Sequence, residues 1–128
     1  MPYYEDLTEY VYSKRSELGA VSVGWLDANH EFRKGQVAAD VLLKIGEFWK
    51  DPINRTRGYQ HCVFCKDYPV RELIGASGEP THLGDAEICI RSAQKAYVCP
   101  TLIFHYIVRH GYKPPDEFLD AVSSASRT

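Results

Sequence analysis

His61-Cys62-Val63-Phe64-Cys65 and the later stretch His105-Tyr106-Ile107-Val108-Arg109-His110-Gly111 decide how this chain is read. In the first, a two-residue spacer lets both sulfurs of a tight knuckle point at one centre. In the second, His105 and His110 form H-x4-H, a spacing by which a helix and its terminus present two imidazoles to the same point. Two thiolates and two imidazoles make a closed tetrahedral set, so a structural zinc ion held by Cys62, Cys65, His105 and His110 is the expected centre of the fold. Five residues of ideal helix rotate by roughly 140°, which would turn the two imidazoles apart. Gly111 offers the remedy: an irregular last turn ahead of it swings His110 back toward the face that carries His105.

Other readings of the same residues stay open. A C-x-x-C can be a redox pair, but that chemistry favours a strand-to-helix junction, and here Asp67-Tyr68-Pro69 continue a loop. The thiols can also be unliganded. His61, adjacent to the knuckle, can replace one of the helix histidines as a ligand. Cys89 and Cys99 fall in β-type runs and read as small buried hydrophobes. His30 and His82 fall in loops with no partner visible in the sequence.

Around this centre the chain reads as one small α+β domain of 128 residues, long enough to bury a core without disulfide staples. Residues 1–18 are a polar lead-in with a short helical turn expected from Leu7 to Tyr12. Ala20–Leu26 alternates like a strand, with Trp25 in the core and a turn from Asp27 to His30. Val37, Val41, Leu42, Ile45, Phe48 and Trp49 recur at helical spacing, predicting a helix from Gln36 to Trp49 that stops before Pro52. Residues 75–84 are rich in Gly, Pro, Ser and Thr and predict a flexible loop. Ala86–Arg91 and Ala96–Cys99 predict a β-hairpin through Ser92–Lys95. Pro100 suits the first turn of the histidine-bearing helix, with Gly111 as its C-cap. A third helix is expected from Pro115 to Val122, then a frayed tail over 123–128.

Fifteen basic and seventeen acidic side chains give a net charge of −2, so no whole-molecule field draws the chain to nucleic acid or anionic lipid. The N-terminus has no apolar signal region, and no stretch has the length of a membrane span. A cytoplasmic protein with reduced thiols and no membrane contact is expected. Residues 51–113 nevertheless carry eight basic and six acidic side chains, against six and eight over residues 1–50. Arg55, Arg57, Tyr59, Phe64 and Tyr68 form a candidate binding surface beside the knuckle. The expected function is a zinc-stabilised interaction or regulatory module that binds a protein partner. A nucleic-acid-binding, zinc-finger-like protein is the alternative, since basic and aromatic residues alternate there. A zinc-dependent hydrolase is a second alternative, with Asp85 or Glu87 as the general base. No H-E-x-x-H, G-x-S-x-G or phosphate loop supports catalysis.

Gly24-Trp25-Leu26-Asp27, Thr56-Arg57-Gly58, His61-Cys62-Val63-Phe64-Cys65, Ala86-Glu87-Ile88 and the run from Pro100 to Pro115, with its His105-Tyr106 and His110-Gly111-Tyr112, have a further meaning. Together they resemble an uncharacterised family of small bacterial proteins over most of the chain. The resemblance implies a compact single domain and no established activity. Cys89 and Cys99 lie outside the shared segments.

Overall fold

Ala96-Tyr97-Val98-Cys99-Pro100 is apolar on both of its faces, the composition of a strand covered on both sides, and all five residues are buried. The computed structural model describes residues 3–10, 19–49, 52–65, 69–74, 78–93 and 95–125. Its elements in chain order are β1 (Val21–Ser22), α1 (Ala39–Trp49), β2 (Val70–Ile74), β3 (Glu79–Leu83), β4 (Glu87–Arg91), β5 (Ala96–Pro100), α2 (Ile103–His110) and α3 (Asp116–Ser124). The fold is α+β, as expected.

Strand β5 is central, between β1, which is parallel to it, and β4, which is antiparallel in the predicted hairpin. The connecting turn closes through Ser92 N–H to the Lys95 carbonyl at 2.8 Å. Strand β1 is much shorter than the seven-residue strand expected over Ala20–Leu26. Gly24 ends it by taking a φ of 81° and packing its α-carbon against Ile103 of α2, where a β-carbon would meet the Ile103 side chain at 2.9 Å. Trp25 is buried, and its indole N–H donates to the Val98 carbonyl at 3.0 Å. In place of the helical turn expected over Leu7–Tyr12, a tight turn at Asp6–Leu7, closed by Thr8 N–H on the Glu5 carbonyl at 3.2 Å with Leu7 at φ 69°, leads into an antiparallel bridge of Glu9 with Val21, where Leu7 and Tyr10 N–H donate to the Ser22 and Ala20 carbonyls at 2.7 and 2.8 Å. Residues 11–12 lie outside the described residues.

The largest departure is a second hairpin, β2–β3, whose second strand lies within the loop expected over 75–84 and whose first strand precedes it. Val70, Glu72 and Ile74 point inward while Arg71 and Leu73 point out. Pro80, which read as a loop signal, sits opposite Leu73 in a two-stranded sheet, where both strands are edge strands and proline is tolerated. Residues 75–77 lie outside the described residues.

Helix α1 starts at Ala39 rather than Gln36 and packs against α3, β4, α2 and β2, with Ile45 fully buried and Val41, Leu42, Phe48 and Trp49 against the same core. Pro100 closes β5, so α2 begins three residues later than expected, at Ile103. Helix α3 runs on to Ser124, two residues past its expected end and into the expected tail, burying Phe118, Ala121 and Val122. Residues 126–128 of that tail lie outside the described residues. The main core gathers Ile45, Val70, Leu83, Ile88, Ile103 and Phe118, and a smaller cluster forms around Tyr10 and Trp25.

Candidate metal centre

Three features deliver the knuckle to helix α2. Gly84, at the end of β3 with φ 106°, lets the backbone of Gln60 approach so closely that a β-carbon there would lie 2.9 Å from the Gln60 carbonyl oxygen. Gln60 N–H donates to the Gly84 carbonyl at 2.9 Å. Two residues on, Cys62 is 3% exposed and its sulfur accepts the Phe64 N–H at 3.4 Å, a contact that holds the knuckle turn. The Phe64 ring meets Tyr106 of α2 edge-on at 5.7 Å.

The end of α2 departs from ideal geometry. The Tyr106 carbonyl accepts the N–H of Gly111, five residues on, and also that of Tyr112 at 3.1 Å. Closure over five residues instead of four widens the last turn, so His110 comes back over His105 instead of turning away. Gly111 takes φ 70°, the left-handed conformation suited to such an ending. Short antiparallel pairing of Lys34 with Tyr112, with Gly35 N–H on the Gly111 carbonyl at 3.0 Å, fixes this end in place.

As a result, Cys62, Cys65, His105 and His110 bring one donor atom each to within 4.8 Å of every other. Cys62 Sγ is 3.3 Å from His110 Nε2, Cys65 Sγ is 3.4 Å from His105 Nε2, and the two Nε2 atoms are 3.2 Å apart. None of the four cysteines is in a disulfide. The cluster could hold a metal ion. Burial, with Cys65 beside it, pushes the Cys62 thiol up to about 11. A cation among the donors would reverse that balance and favour the thiolate. His61, the substitute ligand considered from the sequence, is exposed and stands outside the four-residue set.

A residue that sequence reasoning missed completes the surroundings. Glu72, 6% exposed on the inner face of β2, meets His105 Nδ1 through Oε2 at 2.6 Å. Arg109 Nε donates to the same carboxylate at 3.0 and 3.3 Å. The available signal was phase: Glu72 shares its parity with Val70 and Ile74, so a strand there had to bury it.

The candidate binding surface is less uniform than expected. Arg55 is tied to Asp85 at 2.7 Å, Arg57 is exposed, and Tyr59 packs edge-on against His82 at 5.5 Å. Phe64 is half-buried between Phe32, Tyr106 and His110, so it braces the knuckle instead of standing free for stacking. Tyr68 lies outside the described residues. A cleft of about 630 Å³ opens beside His110, with Phe32, Lys34 and Phe64 on its walls. His30, for which the sequence shows no partner, stays exposed while it stacks on Tyr3 at 3.8 Å and pairs with Asp27 at 2.6 Å. Asp85 and Glu87, the carboxylates considered as general bases, are buried: Asp85 takes Arg55, and Glu87 Oε1 accepts from Tyr10 and Asn54, each at 2.7 Å. Among the described residues, no helix is long and apolar enough to cross a membrane.

No curated protein and no solved structure matches the chain. A family model does match, over residues 2–123, nearly the whole length, and the chain therefore belongs to the family described as Domain of unknown function (DUF7919).

Proposed function

We propose that this protein is a zinc-stabilised interaction module in which the ion joins the knuckle to helix α2 and holds the surrounding surface rigid for a protein partner. The observation that carries the proposal is the donor spacing. In a tetrahedron the vertices lie about 1.6 times the bond length apart, so zinc bonds of about 2.0–2.3 Å separate their donors by about 3.3–3.8 Å. Cys62 with His110 at 3.3 Å and Cys65 with His105 at 3.4 Å fall in that range, the two imidazoles at 3.2 Å lie just short of it, and all four donors stay within 4.8 Å of one another. Four protein donors leave no position for a reacting water, so the set suits a structural ion and argues against the hydrolase alternative.

A protein partner is favoured over nucleic acid by where apolar side chains reach solvent. Val63, Leu73 and Val108 are 43%, 64% and 41% exposed. Each comes from one of the three segments that build the centre: the knuckle, β2 and α2. The basic residues beside them are partly engaged internally, as Arg55 and Arg109 are by Asp85 and Glu72.

The test is elemental analysis of purified protein together with circular dichroism during chelation. One zinc per chain, and loss of cooperative folding both on chelation and in Cys62→Ser, is the expected result. Metal-free protein that stays fully folded would sink the proposal. Binding to nucleic acid that falls steeply with added salt would favour the alternative partner class.

A further inference from the structure

We infer that Glu72 is the positioning residue of the metal centre, fixing which ring nitrogen of His105 faces the ion; this rests on the metal-centre reading above. The geometry is one-sided. His105 is 2% exposed, with Nδ1 against a carboxylate oxygen at 2.6 Å and Nε2 toward Cys65 Sγ and His110 Nε2. A carboxylate only accepts, so Nδ1 must carry the hydrogen, and a neutral ring then has its lone pair on Nε2, aimed at the donor cluster. The other tautomer would set a lone pair against a buried carboxylate and point an N–H into the cluster. Glu72 therefore prepares His105 as a ligand before any ion arrives.

The carboxylate is itself held. Glu72 has a side-chain exposure of 4%, and Arg109 at 64% covers it from the solvent side at 3.0 Å. With two thiolates, one carboxylate and one guanidinium, the unit is neutral when a divalent cation is present. His105 and Arg109 lie four residues apart on α2, so one face of the helix meets the carboxylate from both sides. The centre thus reaches from the knuckle through α2 to β2, and the β2–β3 hairpin supplies its outer support.

The experiment measures Zn²⁺ affinity by competition with a chromophoric chelator in wild type, Glu72→Gln, Glu72→Met and Arg109→Met. Nitrogen-correlated NMR of the zinc-loaded proteins reads the His105 tautomer. Loss of an outer partner of a metal-bound histidine weakens binding about 10–100-fold, which is the change expected in Glu72→Met. Glu72→Gln keeps an acceptor for Nδ1–H, so it should retain the tautomer and fall between wild type and Glu72→Met. Arg109→Met leaves the contact to His105 and should stay within about 3-fold of wild type, because an exposed guanidinium is screened by solvent.

Wild-type affinity in both Glu72 variants overturns the inference, and so does an equal loss in Arg109→Met and Glu72→Met, which would assign the effect to the ion pair alone. Should Glu72→Met not fold even with zinc, Glu72→Gln decides: reduced affinity with Nδ1–H retained supports the inference, and wild-type affinity overturns it. Wild-type protein that takes up no zinc defeats the metal-centre reading itself, an outcome distinct from all of these.

Discussion

Replacing Gly84 with alanine tests how the fold delivers the knuckle to α2. The substitution costs in two ways. Holding φ at 106° strains an L-residue by about 1–2 kcal/mol. The new β-carbon would also lie 2.9 Å from the Gln60 carbonyl oxygen and 3.0 Å from its nitrogen, both backbone atoms that cannot rotate away. Forcing such a contact apart adds about 1–3 kcal/mol, for a total of about 2–5 kcal/mol out of the roughly 5–15 kcal/mol typical of a domain. Two other glycines separate the contributions. Gly19 has φ 83° but nothing within 4 Å, so Gly19→Ala should show the backbone strain alone. Gly58 has neither constraint, and Gly58→Ala should stay within about 1 kcal/mol of wild type, helped by a less flexible unfolded chain. Urea unfolding at fixed zinc concentration measures all three. Because Gln60 lies two residues before Cys62, only Gly84→Ala should also lower zinc affinity. The reasoning is refuted if Gly84→Ala is no more destabilised than Gly19→Ala.

Other outcomes follow from single contacts. Phe118, fully buried in α3 with its ring edge-on to Tyr97 at 5.7 Å, should cost about 3–5 kcal/mol on truncation to alanine, read by the same urea titration; a loss below about 1 kcal/mol would show that α3 is not anchored there. Asp6 accepts the Gly24 N–H at 3.0 Å and the Tyr112 hydroxyl at 2.8 Å, but its burial outweighs both and raises its pKa above 3.8. The folded state therefore holds the Asp6 proton more tightly than the unfolded chain, so this group's contribution is fully present below pH 3.8 and declines as pH rises through the folded value. Asp6→Asn removes that decline, and its stability relative to wild type should improve between pH 3 and neutrality; a difference that does not change with pH would contradict the account.

The candidate centre was more legible than the scaffold that builds it. The ligand types are chemically distinctive, and C-x-x-C with H-x4-H named four side chains that the fold brings together. The apparent defect in the second motif, five residues instead of four, is resolved by the widened turn on the Tyr106 carbonyl, which only the glycine at 111 hinted at. Helix α1 and the β4–β5 hairpin were visible because their apolar patterns span enough residues to show a period. Hairpin β2–β3 was hidden by its shortness and by Pro80, a residue that signals a loop in isolation yet fits an edge strand. With the strand unrecognised, the parity that buries Glu72 had no meaning, and the partner of His105 was lost with it. Gly24 hid the end of β1 in the same way, since a positive φ leaves no trace in hydrophobic alternation.

The separation of 48 positions from Cys62 to His110 sets a timetable for a chain made from its N-terminus. At about 5–20 residues per second, the sulfur pair leaves the ribosome several seconds before the imidazole pair. An ion bound during that interval would have only half of the four donors and would exchange freely. The strands of both hairpins lie in the chain between the two halves of the cluster, so the four donors converge only once those strands are in register. An ion held by all four donors would therefore mark the chains whose strands have paired correctly.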